Sequence, residues 1–278
     1  MAANSVKESS ISWTKAAALK DARQVRNKLS FRNQRGQFFI EGVRNFVRAH
    51  DNRFVIDCVI YSEKLLINPL ARKLVRRRKR DGIPTFSVSP EAFRKLSTAK
   101  RASGVCALLR QRWTRFEDLP PKQQMCWTVL ERVQSEGNFG TLIRSSSAAG
   151  AAGFILVGDH VDPYAPAVIR SSMGAVFQQA FIRTDWDTLR HWVAQTGNPV
   201  IGATPDAETG LYEFACPTGT PLLMFGEERH GLSHQQTALC TNLVSIPMCE
   251  GTDSLNLGVA GSLLLYEVRR QRYNAKAI

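Results

Sequence analysis

Residues 126–150 read CWTVLERVQSEGNFGTLIRSSSAAG and join a short apolar segment to a run of small residues. The first part, 126–133, predicts a buried β-strand, because it is short, apolar and bounded by polar residues. The second part, 137–150, predicts a helix whose glycine, serine and alanine residues allow close packing. Its single arginine, Arg144, is a solvated surface residue, a phosphate contact or a catalytic group.

Short apolar segments and helical segments continue to alternate after residue 150. Further strands are predicted at 154–158, 176–183, 199–203, 221–226 and 243–248. Asp185 is expected to cap one of the intervening helices, and the last helix is expected to begin near Asp253 and Ser254 and to reach about Tyr273. This alternation predicts an α/β domain with a parallel sheet covered by helices on both faces.

The N-terminal part predicts a second, smaller α/β domain. An apolar segment that turns into a helix is expected at 38–48, with strands at 54–61, 84–88 and 104–109 and a basic helix at 64–80. A Pro-Pro pair with little periodicity around it marks a linker. The predicted organisation is a polar extension at 1–25, a basic α/β domain at 26–111, the linker at 112–124 and the larger domain at 125–278.

Positive charge is concentrated in the first part of the 278-residue chain. The chain carries 37 Lys and Arg against 24 Asp and Glu, and residues 1–120 hold 26 of the former and 10 of the latter. The densest run ends in Arg76, Arg77, Arg78, Lys79 and Arg80. This asymmetry predicts RNA binding by the N-terminal domain. The alternatives are a solvated helix face or a disordered basic loop. An anionic membrane surface is disfavoured, because no long apolar stretch flanks the run.

Several other classes of site are disfavoured. The six cysteines form no CxxC pair, and Gly231 and Ser233 between His230 and His234 argue against a metal-binding helix, so no metal is expected. GxGxxG, P-loop and GxSxG patterns do not occur. The absence of a signal peptide and of a long apolar stretch predicts a cytoplasmic protein without a membrane partner.

Unusual loops follow four of the predicted strands, at 136–140, 204–210, 226–231 and 248–256. Ligands of open α/β sheets bind at the carboxyl ends of the strands. Glycine and small polar residues predominate in the later loops. They favour a small ligand that is held largely by backbone groups.

Three ordered blocks in these loops resemble one family. They are Asn138-x-Gly140-x-x-x-Arg144, then Gly226-x-Glu228-x-x-Gly231-Leu232-Ser233, then Ile246-Pro247-Met248 followed by Ser254-Leu255-Asn256. Together with 169–177 they resemble the SpoU/TrmH-type branch of the SPOUT class, which are S-adenosylmethionine-dependent RNA ribose 2′-O-methyltransferases. The resemblance covers about 125–273, and the basic domain looks like the RNA-binding domain of ribosomal-RNA and antibiotic-resistance members.

The resemblance implies a deep trefoil knot, a homodimer, the cofactor S-adenosylmethionine and a role for each block residue. Arg144 would contact the target nucleotide and assist activation of its 2′-hydroxyl. Asn138 would orient Arg144 or the ribose, while Glu228 and Asn256 would order the site. Ser254 would cap the last helix and bond nearby polar groups. The residues implied in cofactor binding are Thr204, Gly226, Ile246, Met248 and Leu255.

The sequence leaves several interpretations open. Arg170 would be a second RNA-contacting arginine that serves the partner's site, or it forms a salt bridge at the interface. The substrate is expected to be ribosomal RNA, with tRNA as the rival. Two rival functions share part of the pattern: a base-methylating SPOUT enzyme and a non-catalytic RNA-binding or ribosome-assembly protein.

Overall fold

The computed structural model describes residues 13–120, 124–251 and 254–274, which divide into two compact units. The first unit takes in the described residues up to Val47 together with Val55–Arg110. The second takes in Arg48–Phe54 and the described residues from Gln111 onward.

The N-terminal part of the chain forms a four-stranded sheet in the order β1-β4-β2-β3. Strand β4 runs antiparallel to β1 and β2, and β2 runs parallel to β3. The elements are α1 (Lys15–Asn27), α2 (Leu29–Arg35), β1 (Gln37–Glu41), α3 (Val43–Asp51), β2 (Ile56–Tyr61), α4 (Pro69–Arg80), β3 (Thr85–Ser87), α5 (Pro90–Arg94) and β4 (Val105–Arg110).

Helix α1 corrects the prediction that residues 1–25 are a polar extension. Ala18, Ala22 and Val25 are fully buried and belong to the same core cluster as Phe39 and Leu108. Their spacing of four and three residues places them on one face of the helix. Asp21 is buried as well, and most of the remaining residues are charged or polar, so the average hydrophobicity of the helix is low although these three apolar side chains are buried. Residues 1–12 lie outside the described part.

The second unit is built on a six-stranded sheet in the order β10-β8-β9-β5-β6-β7, and every pairing in it is parallel. The elements are a 3-10 helix (Phe116–Asp118), β5 (Trp127–Leu130), α6 (Glu136–Ala149), β6 (Gly153–Val157), α7 (Pro166–Ser171), a second 3-10 helix (Ala175–Gln178), β7 (Ala180–Thr184), α8 (Trp186–Thr196), β8 (Val200–Ala203), β9 (Leu222–Phe225), α9 (His234–Leu239), β10 (Asn242–Val244) and α10 (Leu257–Asn274).

The parallel α/β architecture is confirmed, with shorter strands than the apolar pattern predicts. The segment predicted as a strand at 176–183 begins with a 3-10 turn, which follows Gly174 at a φ of 89°. The strand predicted at 243–248 ends at Val244. Pro247 has no backbone N–H to donate to a sheet, which limits how far that strand extends.

The described part of the predicted linker is packed onto the second unit. Thr114 donates its backbone N–H to the Phe181 carbonyl at 2.8 Å, and Phe116 stacks on Trp192 with ring centroids 4.5 Å apart. The Tyr164 hydroxyl accepts from the Arg112 N–H at 3.0 Å and donates to the Arg112 carbonyl at 2.6 Å. The lack of periodicity in this segment predicts an unpacked linker, whereas aromatic side chains hold it against the second unit. Residues 121–123 are not described.

Two helix starts differ in how well the sequence predicts them. Asp185 caps α8, as predicted, by accepting from the Thr188 N–H at 2.8 Å. Helix α10 begins later than predicted, because Asn256 caps it and accepts from the Val259 N–H at 2.9 Å. Ser254 therefore does not cap the last helix, and Asp253 lies outside the described residues. Asparagine and serine are both good N-caps, so the sequence pattern does not distinguish them.

Candidate active site

Helix α6 presents Arg144 on its exposed side. Ser135 caps the helix by accepting from the Asn138 N–H at 3.2 Å. Phe139 and Leu142 are buried, which fixes the inner face of the helix. Arg144 points away from that face and is exposed, whereas Asn138 is half-buried. The buried side of the helix is closely packed, and the Arg144 guanidinium lies on the opposite, exposed side.

Glycines bring two other helices directly against α6. A Cβ atom at Gly140 would lie 1.8 Å from the Ser171 hydroxyl oxygen at the end of α7. A Cβ atom at Gly261 of α10 would lie 2.4 Å from a Leu142 methyl carbon, and one at Gly258 would lie 3.2 Å from the Asn138 carbonyl oxygen. The small residues of this region therefore permit close packing, as the sequence suggests.

Two consecutive carboxylates hold the segment that precedes α6. Glu228 accepts from the Gln134 N–H at 2.9 Å and from the Ser135 N–H at 3.4 Å. Glu227 accepts from the Gln134 side-chain amide at 2.8 Å. That hydrogen bond is the main cause of a lowered pKa of the Glu227 carboxyl, and the nearby His230 lowers this pKa further. The second motif block thus orders the loop that leads into the first.

The turn at 226–231 is closed by its own backbone. Glu227 N–H donates to the Gly231 carbonyl at 3.1 Å, and Gly231 N–H donates to the Glu227 carbonyl at 2.9 Å. A Cβ atom at Gly226 would lie 2.0 Å from the Gly231 carbonyl group. Glycine at this position therefore allows the two ends of the turn to meet. Glu228 and Arg229 lie at its tip.

A cavity of about 600 Å³ lies at the carboxyl ends of β8, β9 and β10. All five residues predicted to bind a cofactor line it, namely Thr204, Gly226, Ile246, Met248 and Leu255. Glu228 and Ser254 line it as well. Asn138, Arg144, Arg170 and Asn256 are not among its lining residues. They belong to the helices beside it, α6, α7 and the start of α10.

Sequence reasoning missed other residues of the cavity wall. Phe225, Leu243 and Val244 line it from the ends of β9 and β10. As apolar strand residues they carry no signal that distinguishes a cavity wall from a core. Asp206 and Arg229 also line the cavity. Their loops are unusual in sequence, but no pattern marks these two residues within them.

The arginines of residues 124–274 fall into two groups. The stretch contains nine arginines and no lysine. Five bond to described groups, namely Arg183, Arg190, Arg269, Arg270 and Arg272. Within the described residues, the side chains of the other four form no ion pair or hydrogen bond, namely Arg132, Arg144, Arg170 and Arg229. All four are exposed and belong to loops or helices that follow β5, β6 and β9.

Helix α4 carries the predicted RNA-binding run of the first unit. Ala71, Leu74 and Val75 are buried on its inner face. Four of the five predicted residues are exposed, namely Arg76, Arg77, Lys79 and Arg80. Arg78 is different, because it is half-buried and pairs with Asp81 at 3.1 Å. Its guanidinium is therefore less available to a polyanion than those of its neighbours.

Two other classes of feature are absent from the described residues. Across 13–120, 124–251 and 254–274, no cluster of three His, Cys, Asp or Glu side chains has the arrangement of a metal site. Over the same ranges, no helix is long and apolar enough to cross a membrane.

Comparison with known proteins places both units in described families. Residues 125–266 match the SpoU rRNA Methylase family, and residues 17–107 match the MRM3-like substrate binding domain. An uncharacterized tRNA/rRNA methyltransferase of Synechocystis sp. is 33% identical over 274 residues, which cover 96% of this chain and 95% of that protein.

A curated protein and a solved structure from Streptomyces viridochromogenes also match. Its 23S rRNA (uridine(2479)-2′-O)-methyltransferase is 30% identical over 259 residues, which cover 90% of this chain and 88% of that protein. The crystal structure of its SpoU methyltransferase AviRb in complex with AdoMet superimposes with a TM-score of 0.83 at 27% identity, and covers 92% of this chain and 97% of that one. The sequence matches and the shared fold agree, and the chain belongs to the SpoU rRNA methylase family.

Proposed function

We propose that this protein transfers a methyl group from S-adenosylmethionine to a ribose 2′-hydroxyl of ribosomal RNA. One observation carries the proposal: Glu228, at the mouth of the cavity, holds the backbone at 134 and 135 and so joins the cavity to the helix that presents Arg144. Relatives whose names specify 23S rRNA 2′-O-methylation support ribosomal RNA as the substrate.

The cavity has the composition that S-adenosylmethionine requires. Ile246, Leu255 and Phe225 give it apolar walls for an adenine ring. Gly226 lines the cavity with backbone atoms alone, because it has no side chain and the place of a Cβ atom is taken by the Gly231 carbonyl. Carboxylates at the rim suit a ligand that carries positive charge. When bound, the cofactor supplies an electrophilic methyl group on a positively charged sulfur.

Arg144 is the residue to which we assign the chemistry. The guanidinium stays protonated at neutral pH, so it stabilises negative charge and does not accept the proton of the hydroxyl. Directed at the 2′-oxygen or its neighbouring phosphate, it favours the charge that develops as the oxygen attacks. Its exposure, and the absence of an ion pair to the described residues, leave it available to RNA.

The other residues of the blocks position this group. Asn138 lies six residues before Arg144 on the same helix α6, and its amide would orient the arginine or the ribose. Asn256 fixes the start of α10, next to Leu255 in the cavity wall. Ser254 lines the cavity and offers a hydroxyl to polar groups there. Glu228 acts through the backbone that it holds.

RNA would be bound by both units. The match to a substrate binding domain and the exposed cations of α4 support binding by the first unit. Arg170 is exposed at the end of α7, whose neighbour Ser171 packs on Gly140 of α6. This position beside the helix of Arg144 supports an RNA contact. The trefoil knot implied by the family stays a prediction, as do the cytoplasmic location and a role in antibiotic resistance.

We also propose a homodimer, and α10 supports it. Val259, Leu263 and Tyr266 are 42%, 39% and 50% exposed. Their spacing of four and three residues places them on one face of the helix. A second copy of the chain would cover this apolar face next to the site. Sedimentation at micromolar concentration tests this, and a monomer would contradict it.

The direct test of the function is transfer of a labelled methyl group to purified ribosomal RNA. The modified nucleotide is then mapped by resistance to alkaline hydrolysis, because a 2′-O-methyl group blocks that cleavage. Labelled RNA whose backbone is still cleaved at the modified nucleotide would indicate methylation of a base. Transfer to tRNA alone would show that tRNA, and not ribosomal RNA, is the substrate. Cofactor binding without transfer to any RNA would contradict the proposal.

A further inference from the structure

The charged residues that line the cavity are unequally paired. Glu228 accepts from two backbone N–H groups, and Glu227 accepts from Gln134 and lies 3.4 Å from His230. Asp206 and Arg229, in contrast, form no side-chain hydrogen bond or ion pair with any residue that the structure describes. Among the described residues that line the cavity, one carboxylate and one guanidinium are therefore available to a ligand.

These two groups come from the loops that follow two neighbouring strands, β8 and β9. Asp206 follows β8, where its own N–H donates to the Thr204 hydroxyl at 3.4 Å. Arg229 follows β9, at the tip of the turn closed between Glu227 and Gly231. Both side chains are exposed, so both remain hydrated in the protein without a ligand. The apolar wall of Ile246 and Leu255 belongs to the same cavity.

We propose that Asp206 and Arg229 bind the two charged ends of the amino-acid group of S-adenosylmethionine. Arg229 would donate to its carboxylate and Asp206 would accept from its ammonium group. This inference rests on the proposed function, since it assigns residues to the cofactor named there. It goes further because Asp206 lies outside the three motif blocks and Arg229 occupies a variable position of the second block, so neither residue is one of the motif positions that indicated that cofactor.

The charge pattern supports a zwitterion rather than a simple anion. Arg229 alone would suit any oxyanion, including an RNA phosphate. The Asp206 carboxylate, which lines the same cavity, opposes a phosphate but complements an ammonium group. A ligand with an apolar ring and both charges satisfies all the groups together.

Calorimetry with two ligands tests the assignment. S-adenosylmethionine carries the amino-acid group, whereas 5′-methylthioadenosine keeps the adenosine part and lacks it. For Arg229→Ala and Asp206→Asn we expect the Kd of S-adenosylmethionine to rise about three- to tenfold, since each variant loses one charge-assisted hydrogen bond at an exposed site. The Kd of 5′-methylthioadenosine should stay at the wild-type value.

Two control variants remove the same charges elsewhere. Arg190→Ala and Asp187→Asn affect an exposed pair on α8, which does not line the cavity. They should leave both Kd values unchanged. Far-ultraviolet circular dichroism of each variant confirms that it is folded.

The outcomes separate this inference from the proposed function. If Arg229→Ala leaves the Kd of S-adenosylmethionine unchanged and raises the KM for RNA, Arg229 is an RNA contact and the inference is wrong while the function stands. Equal weakening of both ligands would also overturn it, because that indicates a distorted cavity. Wild-type protein that binds neither ligand would contradict the function as well.

Discussion

Arginines occur in two contrasting settings in this molecule. On α4, four exposed cations follow one another within five residues, in a part of the chain with a large excess of positive charge. Around the cavity, exposed arginines are single and come from separate loops and helices. A dense run supplies attraction to a polyanion without defining a geometry. A single arginine on a fixed helix defines where a charge is placed but adds little to overall affinity.

This difference indicates which experiments should separate binding from chemistry. Changes on α4 should alter how much RNA is bound and how strongly salt affects it. Changes on α6 should alter what happens after binding. Variants in each setting therefore test whether the two act independently.

The largest effect is expected for Arg144→Ala. Methyl transfer should fall by at least about 100-fold, because a group that stabilises developing charge is removed. The Kd of S-adenosylmethionine should be unchanged, since Arg144 does not line the cavity. Single-turnover rates and calorimetry measure the two quantities. Arg144→Lys serves as the conservative control, and near-normal turnover of Arg144→Ala would refute the assigned role.

A weaker RNA affinity is expected when Arg76, Arg77, Lys79 and Arg80 are replaced together by glutamine. The slope of log K against log salt should become shallower by about one unit for each phosphate that is no longer neutralised. Saturating RNA should restore the wild-type turnover. Arg78→Gln is the matched control, with a smaller effect because Arg78 already pairs with Asp81. An unchanged salt slope in the quadruple variant would show that α4 does not bind RNA.

A moderate effect is expected for Glu228→Gln. The neutral amide accepts more weakly than a carboxylate, so the backbone at 134 and 135 should be held less firmly. We expect turnover to fall about tenfold, which corresponds to the loss of one charge-assisted hydrogen bond. Glu227→Gln should have less effect, because Glu227 bonds only the Gln134 side chain on that segment.

The pH dependence of the Glu227 contact follows from the sign of its pKa shift. The Gln134 hydrogen bond lowers the pKa of the Glu227 carboxyl, so the contact is stabilising above the ordinary range of a glutamate. Its stabilising effect disappears as the pH falls through the lowered value. A carboxyl carbon NMR titration should give a midpoint below that of a model peptide. A midpoint at or above the model value would contradict the contact.

The last and smallest expected effect concerns how fast the thiols of the folded protein react with a thiol reagent. Burial raises the pKa of the Cys58 thiol to about 12 and raises that of Cys106 as well, so both should resist a thiol reagent at pH 8 until the protein unfolds. Cys249 is exposed and should react first. Cys249→Ser should abolish the fast phase, which absorbance of the released reagent monitors. Rapid modification of Cys58 would show that the first unit opens readily.

The sequence predicts the sheet and the position of the cavity from local patterns, whereas the five cavity residues that it named came from the resemblance to a family. Short apolar strands followed by glycine-rich loops indicate a parallel sheet with a site at its carboxyl ends. The hydrogen bond between Glu228 and Gln134 joins residues 94 positions apart and leaves no local pattern. The pairing of Arg78 with Asp81 is local, but a dense basic run conceals it. The burial of helix α1 escapes prediction because two of its three buried apolar side chains are alanines, which give a weak hydrophobic signal.

The absence of lysine between residues 124 and 274 has a chemical consequence. Amine-directed chemistry, such as acetylation or reductive methylation, acts on lysine and leaves arginine unchanged. It would therefore alter Lys73 and Lys79 on α4 while sparing every arginine of α6 to α10. Acylating the folded protein should weaken its attraction to RNA without changing the charge of any arginine around the cavity.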